Sequence, residues 1–112
     1  MTIGFNFNGK QIKTDKQGYL LDHTLWQEGL AALMAKNDAF ELTAAHWEVI
    51  HFVRQFYLTY NTSPAIRALT KAMKAELGEE KASSRYLFKL FPDGPAKQAT
   101  KYAGLPKPKR CL

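Results

Sequence analysis

A chain of 112 residues with 46% hydrophobic and 23% charged content supports one packed core, and this excludes both a wholly disordered protein and a multi-domain one. Its formal net charge of +6 is concentrated at one end: after Asp93 come Lys97, Lys101, Lys107, Lys109 and Arg110 with no acid among them, while the preceding body is close to neutral. Such a basic end suits an acidic protein surface or a nucleic acid, and charge alone does not choose between the two.

The first twenty residues predict strands. Phe5-Asn6-Phe7 alternates apolar and polar, Asn8-Gly9 is the dipeptide of a type I′ hairpin turn, and Gln11-Ile12-Lys13 alternates again. A third short strand is expected at Gly18-Tyr19-Leu20-Leu21. Helices follow. The first is expected from about Leu25 to Lys36, capped by Asp22 or Thr24 and ending at Asn37. The second begins after Thr43 and runs to about Tyr60; its apolar residues from Trp47 to Leu58 cover most of the circumference, which predicts a central, largely buried helix. The third has Ser63 as N-cap, Pro64 in its first turn and Gly78 as its stop, with Ile66, Leu69, Met73 and Leu77 on one face and Arg67, Lys71 and Lys74 on another. Short helices from about Ser84 to Leu90 and Ala96 to Ala103, separated by the turn Pro92-Asp93-Gly94-Pro95 and closed by Gly104, complete an α+β body of about five helices.

Familiar catalytic patterns are missing from this frame. His46 and His51 are five apart, about 140° around a helix, and cannot pair as ligands; with His23 in a connection and a single cysteine, no metal site is expected. There is no glycine-rich phosphate loop, so no nucleotide or other cofactor is expected. Glu79 and Glu80 suit a solvated helix end, and Trp26, Trp47, Phe52, Phe56 and Tyr57 suit the core. Two helices joined by Asn61-Thr62-Ser63-Pro64, the second with Arg67, Lys71 and Lys74 outward, leave a helix-turn-helix nucleic-acid binder open as an alternative.

The one cysteine, Cys111, follows Gly104-Leu105-Pro106-Lys107-Pro108-Lys109-Arg110. Two prolines exclude helix there, and three cations keep the segment solvated, so residues 105–112 are expected to form a flexible arm on a globular domain of residues 1–104. Such an arm carries the sulfur roughly 20 Å from the packed body. Neighbouring cations favour thiolate, the reactive form, while the carboxylate of Leu112 opposes it. A single cysteine closes no internal disulfide, no apolar run approaches the roughly 18 residues of a membrane span, and Met1-Thr2-Ile3-Gly4 lacks the marks of a secretory signal; a cytoplasmic protein is expected.

Several stretches resemble the DsrC/TusE sulfur-carrier family: His46-Trp47-Glu48-Val49-Ile50, Phe52-Val53-Arg54, Thr62-Ser63-Pro64-Ala65-Ile66-Arg67, Gly78-Glu79-Glu80-Lys81, Ser84-Arg85-Tyr86-Leu87, Leu90-Phe91-Pro92 and Gly94-Pro95-Ala96-Lys97-Gln98-Ala99. Ala103-Gly104-Leu105-Pro106-Lys107-Pro108 before a penultimate cysteine is the most specific of these. The resemblance implies a small antiparallel β-meander packed on an array of helices, and a persulfide carried on Cys111. Members serving dissimilatory sulfite reductase have a second cysteine eleven residues before the penultimate one, where this chain has Thr100. The resemblance is therefore to the single-cysteine TusE branch, with an accessory role at sulfite reductase as an alternative. It implies a sulfurtransferase acting as a relay: sulfur is taken from a TusBCD-type complex and presented to the tRNA thiolase MnmA, with or without its tRNA bound, for 2-thiouridine at the wobble position. Lys101, Lys107, Lys109 and Arg110 are then expected to dock on acidic partner surfaces.

Overall fold

The computed structural model describes residues 4–107. Strands β1 (Gly4–Phe7) and β2 (Lys10–Lys13) pair antiparallel, with Phe5 opposite Ile12 and Phe7 opposite Lys10. Asn8 and Gly9 both have positive φ, 52° and 80°, as a type I′ turn requires. Alternation sends Phe5, Phe7 and Ile12 toward the core and leaves Gln11 and Lys13 in water.

The expected third strand is reduced to a single bridge, Thr14 opposite Leu20. The cause is Asp15, whose carboxylate accepts from the backbone N–H of Gln17 at 2.8 Å and of Tyr19 at 3.0 Å. The Tyr19 donor is spent within the turn, and the pairing is limited to the two backbone bonds around the bridge, Asp15 N–H to the Tyr19 carbonyl at 2.9 Å and Leu21 N–H to the Lys13 carbonyl at 3.1 Å.

The first helix also starts later than the pattern suggests. Asp22 does cap, its carboxylate accepting from the Thr24 N–H at 3.0 Å, but the turn it caps is a single 3-10 turn, His23–Leu25. The chain is extended at Trp26, and α1 (Glu28–Asn37) begins two residues on. Helix α2 (Ala44–Tyr60) opens at Thr43 as expected, in a capping box completed by His46. His46 Nδ1 accepts from the Thr43 N–H at 3.0 Å, so the ring's proton is on Nε2, which donates to the Leu90 carbonyl at 2.7 Å. One buried histidine thus closes the start of α2 and ties it to the end of a later helix.

Helix α2 is not buried around its circumference. His46, Val49, Ile50 and Val53 form one buried stripe, and Leu58 and Tyr60 at its far end are 59% and 65% exposed. Helix α3 (Ile66–Leu77) begins with Ala65 in the capping position, so Ser63 is not its cap; Leu69 and Met73 face inward, and Arg67, Lys71 and Lys74 face water as expected. After Gly78 comes a one-turn helix, α4 (Glu79–Ala82), that periodicity does not disclose. Ser83 then caps α5 (Ser84–Leu90), accepting from the Tyr86 N–H at 3.1 Å, and α6 (Pro95–Tyr102) follows with proline in its first turn.

The central helix is α6. It packs against α1, α2, α3 and α5, and buries Pro95, Ala96, Ala99, Thr100 and Tyr102. Ala96 and Ala99, three residues apart on one face, permit close approach to the neighbouring helices.

Candidate functional site

The route by which the chain leaves α6 is built from local hydrogen bonding. Gly104 N–H donates to the Lys101 carbonyl at 3.0 Å and Leu105 N–H to the Thr100 carbonyl at 3.2 Å, the two bonds of a Schellman cap. That cap needs positive φ at Gly104, which is 70°. Any side chain there is also excluded by contact, since a Cβ would lie 2.8 Å from Cβ and Cγ of Trp26. Leu105 is fully buried in the core, so the packed body takes in a residue that the sequence reading placed in the arm. Pro106 and Lys107 are exposed.

Three side chains from distant elements meet this exit. Trp26 Nε1 donates to the Tyr102 carbonyl at 2.7 Å, Arg54 Nη1 to the Ala103 carbonyl at 2.8 Å, and Ser63 Oγ to the Pro106 carbonyl at 2.8 Å. The Arg54 guanidinium lies 4.4 Å over the Trp26 ring, a cation–π stack. Burial lowers the Arg54 pKa from its ordinary value; Arg54 is the only lysine or arginine of α2. A single basic residue amid the apolar run Val49-Ile50-His51-Phe52-Val53-Arg54 is the sequence signal that could have marked it.

Of the residues singled out in the sequence, Cys111, Lys109 and Arg110 lie outside the described residues. Lys101 is not a free surface cation. Its ammonium is paired with Asp38 at 2.9 Å, and its side chain is 22% exposed. Lys107 is exposed and borders, with Lys97, Lys101, Asp38 and Tyr102, a groove of about 460 Å³. Thr100 is completely buried, and its hydroxyl has no hydrogen-bond partner among the described residues. His51 is exposed beside Trp47 and 3.7 Å from Glu28, on a different face from His46.

A model of the family described as DsrC like protein matches residues 6–112, a span that includes both the capped exit and Cys111. The chain belongs to the DsrC-like family. The curated relatives of this DsrC-like chain include the sulfurtransferase TusE of Salmonella paratyphi A, 62% identical over 106 residues that cover 95% of this chain and 97% of that protein. The sulfurtransferase TusE of Escherichia coli K12 is 59% identical over the same shares. Among solved structures, Allochromatium vinosum DsrC superposes with a TM-score of 0.89 at 49% identity, covering 100% of both chains. The hairpin followed by six helices is therefore the DsrC architecture.

Proposed function

We propose that this DsrC-like protein is a persulfide relay carrier of tRNA thiolation, taking sulfur on Cys111 from a TusBCD-type complex and passing it to an MnmA-type thiolase. The observation that carries the reading is the near full-length similarity to two sulfurtransferases named TusE, in a chain whose single thiol is Cys111. The cytoplasm is the compartment proposed, where a lone thiol stays reduced. Among the described residues no helix is long and apolar enough to cross a membrane.

The chemistry is thiol exchange. The Cys111 thiolate attacks the outer sulfur of a donor persulfide, the donor's S–S bond breaks as the new one forms, and the donor leaves as thiolate. Sulfur is exchanged with no net oxidation. The same exchange, run toward the thiolase, returns Cys111 to thiolate. Lys107, Lys109 and Arg110 supply charge for acidic partner surfaces; Lys101 contributes only by giving up its pairing with Asp38. The relatives favour this reading over a helix-turn-helix nucleic-acid binder built on α2 and α3, and the threonine at position 100 disfavours a two-cysteine role at sulfite reductase.

The test is mass spectrometry of the full chain after incubation with a cysteine desulfurase and cysteine. One added sulfur atom is expected on Cys111, and none on Cys111→Ser, which should melt at the same temperature as the parent. Equal loading of the Cys111→Ser variant would overturn the reading.

A further inference from the structure

Every helix leaves its last four carbonyls without partners inside the helix. At the end of α6 these are Thr100, Lys101, Tyr102 and Ala103. The Schellman cap takes the first two, through Leu105 and Gly104. The remaining two are taken by side chains from elsewhere in the fold: Tyr102 by the Trp26 indole, Ala103 by the Arg54 guanidinium. Arg54 also brings its positive charge to the negative end of the helix, and it is stiffened by its stack on Trp26.

The pinning continues past the helix. Gly104 is pressed against Trp26, Leu105 is sunk in the core, and the Pro106 carbonyl is held by Ser63 from the turn between α2 and α3. From Tyr102 to Pro106 three carbonyls are gripped by three side chains that arrive from 76, 49 and 43 residues away. Stopping α6 requires only the Gly104 cap. What the additional grip determines is the point at which the chain is released, and Cys111 follows five residues later, a reach of about 17 Å.

We propose that Trp26, Arg54 and Ser63 are positioning residues that fix the exit of the C-terminal segment, so that Cys111 is presented from one sector of the surface, beside the turn 61–65. The consequence for sulfur transfer rests on the relay reading above; the geometric claim does not. Releasing the grip back to Tyr102 lengthens the tether from five residues to nine. At the roughly −3/2 power dependence of effective concentration on tether length, this alone lowers the local concentration of the thiol by about twofold, before any loss of direction.

The single cysteine makes the test direct. A nitroxide label on Cys111 of the full chain broadens the amide signals of nearby residues, and we expect the broadening to concentrate on the turn 61–65 and the start of α3. Trp26→Phe, which keeps the ring and loses the N–H donor, and Arg54→Lys should spread it to amides far from that turn. Ser63→Ala, at a half-buried position outside the core cluster, should do so to a smaller degree, and serves if either of the others fails to fold. In unlabelled chains, sulfur transfer from a cysteine desulfurase should fall in Trp26→Phe and Arg54→Lys, toward the roughly twofold loss of full release, and by less in Ser63→Ala, while the reaction of Cys111 with a small aromatic disulfide stays unchanged. A broadening map that is diffuse in the parent, or identical in all variants, overturns the proposal. So does a parallel fall in transfer and small-disulfide reactivity, which marks a merely structural role. Failure of the parent to accept sulfur would instead sink the relay reading and leave the label map to decide the geometry.

Discussion

Tyr102 shows how much one side chain is asked to do beside the chain's exit. Its ring is 1% exposed, its carbonyl accepts from Trp26, and its hydroxyl donates to Asp38 Oδ2 at 2.9 Å, the same oxygen that pairs with Lys101. Burial pushes the phenol pKa well above its ordinary 10, and the hydrogen bond and charge of Asp38 push it further. The folded state therefore keeps a proton that the unfolded chain gives up above pH 10, so the stability tied to the neutral phenol is fully present below that pH and is lost as pH rises beyond it. Tyr102→Phe should lower stability at neutral pH by about 1 kcal/mol, since Asp38 keeps its lysine. It should also flatten the alkaline decline: thermal melts from about pH 9 to 12 should converge for parent and variant. Parallel curves would show that Tyr102 titrates as it does in the unfolded chain.

At the scale of elements, α6 and its cap form the seam between the body and the C-terminal segment. Leu105 belongs to the body, because the Schellman turn folds it back onto the helix and its side chain is fully buried. Leu105→Ala should cost about 3 kcal/mol, a drop in Tm on the order of 10 °C, as expected for a cavity in a packed core. Removing residues 108–112 should shift the Tm by only a degree or two, in line with surface changes below about 0.5 kcal/mol. A large shift on that truncation would place structural contacts beyond Lys107. Calorimetry on the two chains separates the cases.

The whole molecule combines a charge of +6 with one thiol. With no second cysteine in the chain, oxidation cannot close a loop, and a mild oxidant should yield a disulfide-linked dimer that reverts fully on reduction. A non-reducing gel should show monomer and dimer only, with no dimer from Cys111→Ser. High salt should speed dimerisation by screening repulsion between two basic ends. Slower dimerisation in salt would mean that the five cations after Asp93 do not meet when two thiols approach.

What was legible in the residues is what depends on near neighbours. The Asn8-Gly9 turn, the Thr43 start of α2, the Gly78 break and the Gly104 stop rest on φ preferences and on hydrogen bonds spanning a few residues, and each stands where the pattern puts it. The family resemblance, carried on contiguous motifs ending at Cys111, was legible for the same reason. Where a side chain had two possible partners, local signals failed. Ser63 has the residue type of an N-cap, but α3 starts at Ile66 with Ala65 in the capping position, and the Ser63 hydroxyl instead donates to the Pro106 carbonyl. Trp26 breaks from the first helix as its indole bonds to the Tyr102 carbonyl, and Asp15 takes the Tyr19 amide donor that a third strand would have used. The central place of α6 and the grip of Arg54 on Ala103 likewise exist only after segments dozens of residues apart have packed. A polar side chain bonds to whichever nearby carbonyl the assembled core leaves unpaired, and that is decided by the tertiary structure alone.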